Sequence, residues 1–346
     1  MISGLTHLPA LPTFLGMVSL LTLVTVQLSA QVRMEPPLEI RNGIAYEEGS
    51  ATPFSGKFQQ YWANGRVRYR GSYLNGKEDG AWTQFYANGE IWNRGNYANG
   101  EKNGDWEDNY ESGTPWSRGA YRNNRLEGLW TYYDEKGNVW YKTTYENGRM
   151  MGMVEAYHPN GKIWYKANYK TGTAEGNTEG FYSSGQAAYK GEYASGDKNG
   201  AWESYHPNGQ LAAKGNYVNG KEDGPWETYH ENGKLASKGN YKLGAKDGDW
   251  QEFHDNGTPA YTGNFVNGLA EGKHVTTYSN GVAAAKGKYK MGQKHGKWNG
   301  YYDSGMVMYK RKYKNGKKAG NWKSYDTAGK KIELKVEDPT KTVQAQ

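Results

Sequence analysis

Four histidines, His158, His206, His230 and His254, are separated by multiples of 24 residues. Regularly spaced imidazoles invite a metal-binding reading, since imidazole is a common ligand of transition metals. If each period of 24 holds two β-strands, however, neighbouring copies sit roughly 10 Å apart. Ligands of one zinc ion all lie about 2 Å from it. These four therefore cannot share a metal and are expected to be surface groups beside turns. Carboxylates recur in the same way, as in Glu78-Asp79 and Glu222-Asp223. A glycosidase pair needs two carboxylates about 5–9 Å apart across a cleft, and repetition makes no pair unique. Serines lie in turn contexts without a nucleophile elbow, and the glycines do not form a strand–loop–helix phosphate cradle. There is no cysteine, so no disulfide, thiolate nucleophile or cysteine metal site can form. Neither enzymatic activity nor a cofactor or bound metal is expected.

What must position these groups is a repeat. Gly56, Gly80, Gly104, Gly128, Gly152, Gly176, Gly200, Gly224, Gly248, Gly272, Gly296 and Gly320 follow one another at 24-residue intervals. A second glycine comes nine residues after each, from Gly65 to Gly329, and a third series runs from Gly76 to Gly316 with Asn124 in one place. Tyr73 opens a row of aromatics that continues through Tyr97, Tyr121 and Phe265 to Tyr313. The 346 residues include 48 Gly, 30 Tyr and 13 Trp, a composition suited to a thin array with aromatic plates inside.

Within one period, Trp82 to Tyr86 is a run of strand formers, Asn88-Gly89 signals a tight turn, and Glu90 to Tyr97 is a second strand. Asn and Gly both tolerate the positive φ that two-residue hairpin turns require. Asn99-Gly100 then reverses the chain again. About twelve such hairpins, roughly 24 strands, predict an all-β, elongated, solenoid-like antiparallel meander stabilised by neighbour-to-neighbour stacking. Side chains alternate faces along a strand, so Tyr189, Gly191 and Tyr193 share one face. The small glycine leaves room for a ring from the next strand. Trp82, Trp106, Trp130, Trp202, Trp226, Trp250, Trp298 and Trp322 are the expected occupants. The opposite face carries Arg70, Arg94, Arg118, Lys142, Lys166, Lys190, Lys214, Lys238, Lys286 and Lys310, broken by Thr262. This row is either a solvated face or a linear surface for anions. Val154, Thr178 and His274 stand where Trp is usual, and a bend or groove is expected around the first two.

The termini differ from the array. Residues 1–30 contain no Lys, Arg, Asp or Glu, and an apolar run from Phe14 to Val26 precedes Ser29-Ala30-Gln31. This reads as a secretory signal peptide, or alternatively as a membrane anchor formed by residues 14–28. Residues 31–55 read as a linker or N-terminal cap, 56–332 as the array, and 333–346 as a charged C-terminal tail. The net charge is +7. Residues 310–346 alone carry eleven Lys or Arg against four acids, so the rest is balanced. That end is either a protective cap on the last sheet edge or a surface for anionic lipid, polysaccharide or nucleic acid, the last disfavoured for an exported protein.

The pattern Gly200, Trp202, Tyr205, Gly209, Lys214, Gly215, Tyr217, Gly220 resembles MORN repeats, and more closely their bacterial variant. The next unit carries it again at Gly224, Trp226, Tyr229, Gly233, Lys238, Gly239, Tyr241 and Gly244. The resemblance covers roughly residues 56–332 and implies a protein-interaction or membrane-proximal module. Similar bacterial proteins carry an antitoxin label, which sits awkwardly with an export signal. The expected function is a non-enzymatic scaffold binding a protein partner at the cell envelope (periplasm or surface) or outside the cell. A binding module for cell-wall glycan or anionic membrane, and an antitoxin-like component, are the alternatives. No transmembrane body is expected.

Overall fold

In the computed structural model, residues 33–332 can be described; the signal or anchor segment and the tail at 333–346 lie outside them. One antiparallel meander sheet of 27 strands runs through these residues, beside a separate two-stranded hairpin of Leu38–Arg41 and Ile44–Glu47. The sheet exceeds two strands per unit because Met34–Glu35 adds to its first edge and because two units split at their bulge glycine, as where Lys77–Glu78 gives way to Gly80–Phe85. The small hairpin caps the array. Ala45, fully buried, donates its N–H to the Gly76 carbonyl (2.8 Å) and accepts from Phe54 (2.8 Å).

The units are built alike. In the strand pair Leu211–Val218 and Lys221–Tyr229, Tyr217 faces Glu222 but Gly215 faces Trp226. Asp223, Gly224 and Pro225 therefore bulge opposite Asn216 alone. Gly224 takes a φ of 85°, a left-handed conformation that strains residues with a Cβ. The bulge also leaves a carbonyl free for a side chain. Trp250 Nε1 donates to Asn240 O (3.0 Å), Trp106 to Asn96 O (3.1 Å) and Trp298 to Lys288 O (3.0 Å).

The two turns differ in type. At the first, His206 N donates to Gln210 O (2.8 Å) and Gly209 N to His206 O (2.8 Å). Only Gly209 has a positive φ there; Asn208 does not, which corrects the expectation for the Asn-Gly pairs. The asparagine acts instead through its side chain. Asn208 Oδ1 accepts from Gln210 N (3.0 Å), and Nδ2 donates to Glu231 O of the next unit (2.7 Å). The second turn is the one with two left-handed residues, such as Asn219 (φ 48°) and Gly220 (φ 76°).

The aromatic core follows the glycine row. A Cβ on Gly95 would lie 2.2 Å from Trp106 ring atoms, and one on Gly191 2.3 Å from Trp202. Tyr rings stand edge-on to each indole: Tyr97–Trp106 at 5.2 Å and 87°, Tyr193–Trp202 at 5.3 Å and 86°. Lysine ammonium groups lie over the indoles, Lys102 at 4.0 Å from the Trp106 centroid and Lys198 at 4.2 Å from Trp202. With glycine beneath, tyrosines beside and lysine above, Trp106, Trp130, Trp202, Trp250 and Trp298 are buried within a single-layer sheet. Trp82, Trp226 and Trp322 are half-buried.

The Trp-poor middle is neither empty nor a groove at Val154 and Thr178. Val154 is fully buried, with Thr143, Ala167 and Thr178 almost as deep. Tyr141 and Tyr165 are buried with them and supply the missing bulk.

Candidate functional site

The basic row occupies the face turned away from the indoles, since each member neighbours a core residue in sequence. Lys214 precedes Gly215, for example, and pairs in register with Glu203 and Glu227. Acids therefore interleave with this row. Arg94 and Arg118 flank Glu107, while Lys142 and Lys166 flank Glu155. Lys166 and Lys190 flank Glu179, and Lys214 and Lys238 flank Glu227. Ion pairs close at 2.9 Å (Arg94–Glu107), 2.7 Å (Lys166–Glu179), 3.0 Å (Lys190–Glu203) and 2.9 Å (Lys214–Glu227). Tyr229 donates to Glu227 (2.5 Å), and Tyr205 donates likewise to Glu203. Those tyrosine bonds, followed by the lysines, hold both carboxyls below the usual carboxylate range. The middle of the row is thus an ion-pair ladder and not a bare basic stripe. Arg94, Arg118 and Glu107 line a surface cavity of about 720 Å³.

The C-terminal end is different. Lys286 faces Val275 and Asn299, and Lys310 faces Asn299 and Lys323. On the same face Lys273 is opposite Lys288, and Lys297 is opposite Lys312. Like charges directly opposite each other destabilise a sheet. At the other end Arg70 lies between Gln59 and Thr83.

The four histidines are half-buried, not simple surface groups. Each ring reaches a carbonyl of the following unit through Nε2: His158 to Phe181 (2.9 Å), His206 to Tyr229 (2.8 Å), His230 to Phe253 (2.9 Å) and His254 to Thr277 (2.8 Å). A carbonyl only accepts, so Nε2 carries the proton. Tyr86, Tyr110, Tyr182, Tyr278 and Tyr302 make the same bond with their hydroxyls, and Trp62 makes it with its indole N–H. The row is a structural clasp between units. The turn acids serve similarly: Asp223 Oδ1 accepts from Leu243 N at 3.0 Å. Among the described residues no group of three or more His, Asp or Glu is placed to hold a metal ion. Nor is any helix there long and apolar enough to cross a membrane.

One feature escaped the sequence reading. Trp92, Trp116, Trp140 and Trp164 form a second tryptophan row, at the 24-residue spacing that could have exposed it. Trp92 and Trp164 are each 40 % exposed. Trp116 and Trp140 line a cavity of about 450 Å³ together with Tyr132, Tyr141, Ser117 and Asp108. Burial pushes the Asp108 carboxyl up, against the opposing pull of its hydrogen bond from Ser117 Oγ (3.0 Å).

This repeating architecture coincides with a known family. The model of the MORN repeat variant matches residues 54–75, 78–99, 126–147, 152–171, 198–219, 222–243, 246–267 and 294–315, about half of the chain. The chain belongs to this family of repeat scaffolds. No curated protein matches it. Among solved structures, TcdB2-TccC3 aligns at 12% identity with a TM-score of 0.18, over 81% of this chain and 18% of that one. The Photorhabdus luminescens Tc holotoxin pore with the TccC3-D651A mutation aligns at 12% identity with a TM-score of 0.16, over 82% and 16%. This chain spans less than a fifth of either, and TM-scores this low are no evidence of a common architecture.

Proposed function

We propose that the chain is a non-enzymatic repeat scaffold, exported to the cell envelope or beyond, which holds an acidic protein partner on the lysine-rich end of its ion-pair face. The observation behind this reading is the contrast along one face. From Arg94 to Lys238 each basic residue has at least one glutamate in register, with threonine on the other side of Arg94, Arg118 and Lys142 and glutamine on the other side of Lys238. From Lys273 to Lys323 the lysines of this face meet lysine, valine, asparagine or His295 in register, and no acid. Such repulsion is relieved when a partner supplies the anions, and complementary charge also speeds encounter. Export rests on the apolar run from Phe14 to Val26 and the small residues at Ser29-Ala30. The absence of chemistry rests on repetition, because the glutamates of the ladder and the four clasp histidines share their settings with their copies in other units.

The test is capture of partners from an envelope extract by the mature chain. Changing Lys286, Lys297 and Lys310 together to Glu should abolish capture. Lys190→Gln with Lys214→Gln, within the ladder, should leave it nearly intact. Equal capture by all three proteins would sink the reading. Loss of binding to anionic vesicles, with protein capture unchanged, would turn it towards a membrane surface.

A further inference from the structure

The second tryptophan row lies on the indole-bearing side of the sheet, away from the ion-pair ladder. Trp92, Trp116, Trp140 and Trp164 belong to the strands Ile91–Ala98, Pro115–Arg122, Val139–Glu146 and Ile163–Lys170. One strand separates each from the next: Glu101–Asn109, Arg125–Tyr133 and Arg149–Tyr157. Successive indoles therefore stand two strand spacings apart, about 9.5 Å. The row stops after four units, since Ala188, Ala212, Ala236, Ala260 and Ala284 take the same position downstream. Packing of the repeat thus does not require tryptophan here. These indoles also differ from the buried row over glycine, because they keep surface open to solvent. Tyr86 stacks on Trp92, with centroids 5.7 Å apart and rings inclined by 28°, which braces that ring.

We propose that this row and the cavity between Trp116, Trp140 and Tyr132 bind a linear, uncharged β-1,4-linked glycan. A pyranose ring has an apolar C–H face that stacks on an indole and an equatorial rim of hydroxyls. In an extended β-1,4-linked chain every second sugar presents the same face, and two sugars cover about one interval between these indoles. Four platforms then engage roughly every other ring of a seven-sugar stretch. Asp108 on the cavity wall, held from beneath by the buried Ser117 hydroxyl, meets the hydroxyl rim. Asp108 also disfavours acidic sugars.

A polyproline helix is the rival, since it repeats about every 9.3 Å and docks into aromatic-lined grooves. Proline carries no N–H. A proline-rich segment would bury Asp108 against groups that mostly cannot donate to it, whereas sugar hydroxyls donate readily. The glycan is the better match.

This site lies on the face opposite the lysine-rich dock, so the two proposals fail independently. The experiment is a tryptophan-fluorescence titration of the full mature chain with β-1,4-linked oligomers of glucose and of N-acetylglucosamine, from trimer to hexamer. The expected result is saturable binding to at least one series, with affinity rising with length. Trp116→Ala and Trp140→Ala should each weaken hexamer binding about tenfold or more. Trp92→Ala combined with Trp164→Ala leaves two platforms, so the double variant should keep trimer binding and erase the gain from longer oligomers, with a circular-dichroism spectrum like the parent's showing that the sheet is intact. Lys286→Glu should change nothing. The proposal is overturned by no binding to either series, by affinity independent of length, or by the Trp92→Ala and Trp164→Ala double variant binding hexamer like the parent. Tighter binding of a proline-rich decapeptide than of any sugar would replace it with the rival.

Discussion

Two stretches of the array fill the same space with opposite choices. At Gly95 and Trp106, or Gly191 and Trp202, one strand contributes nothing and its partner a full indole. At Thr143 and Val154, and again at Ala167 and Thr178, both strands contribute a small side chain. The volume given up is recovered sideways by Tyr141 and Tyr165, each less than a tenth exposed. Near Gly263 there is a third solution, in which Tyr261 and His274 together take the place of one indole. The repeat therefore constrains the volume above each register position, not the residue that supplies it. Interiors are close-packed, and two columns of the repeat change together for that reason.

The largest effect should come from exchanging the two solutions. Trp202→Thr alone leaves a cavity and removes the indole bond to Glu192 O (3.1 Å), at a cost of about 3–5 kcal/mol. Gly191→Ala alone places a Cβ within 2.3 Å of the indole and overpacks the site, at about 1–3 kcal/mol. The double variant reproduces Ala167 with Thr178, beside Tyr189. It should be more stable than the sum of the singles requires, by about 1–2 kcal/mol. Urea unfolding of the four proteins gives this coupling directly. Strict additivity would mean that the two columns change independently.

A smaller effect, of a different kind, is expected at the Tyr261–His274 pair. Nε2 of His274 donates to Glu271 O (3.1 Å), so Nδ1 is free to accept from the Tyr261 hydroxyl (2.5 Å). Protonating Nδ1 destroys that acceptor. Burial lowers the pKa of His274 from its ordinary value. The unfolded chain therefore binds the proton more readily, and the stability contributed by the neutral ring is lost as pH falls below about 6.5. No indole unit shares this liability. The melting temperature should fall between about pH 7 and pH 5, and His274→Gln should remove that slope. An equal slope in the variant would assign the acid sensitivity elsewhere.

The glycine and Trp82 rows were legible because alternation of faces and the 24-residue period fix which residues meet. The compensation at Thr143 and Ala167 was legible in the same columns, but only if the glycine row is read against the Trp row 11 positions on. The interleaved Glu107, Glu155, Glu179, Glu203 and Glu227 also keep the period. They disappear from view when the basic row is followed along one strand of each hairpin, since their neighbours lie across the sheet. The turn types were not legible from Asn-Gly alone. That dipeptide serves a positive φ at one turn and a side-chain bridge at the other, and hydrogen bonds to the next unit decide which. Leu243 and Met291, both at φ 50°, show the converse, because the second turn takes its left-handed form without asparagine.

The clasp row carries the comparison to its mildest case, where three different side chains do one job. His206 Nε2, the Tyr182 hydroxyl and the Trp62 indole each donate to a carbonyl 23 residues onward, at 2.8, 2.7 and 3.0 Å. Where the bond forms, any donor at this reach suffices, whereas Asp134 at the same position turns its carboxylate to Lys136 N and Asn138 N. His206→Ala should cost about 1 kcal/mol for the bond, plus the desolvated Tyr229 carbonyl. His206→Tyr should fall within about 0.5 kcal/mol of the parent, since the preceding unit already accommodates that ring at Tyr182. His206→Phe keeps the ring and loses the donor, so it should sit with His206→Ala once the difference in buried area is allowed for. If tyrosine were as damaging as phenylalanine, histidine at this position would have a role that the neighbouring hydroxyls cannot fill. The equivalence between units would then end at this row.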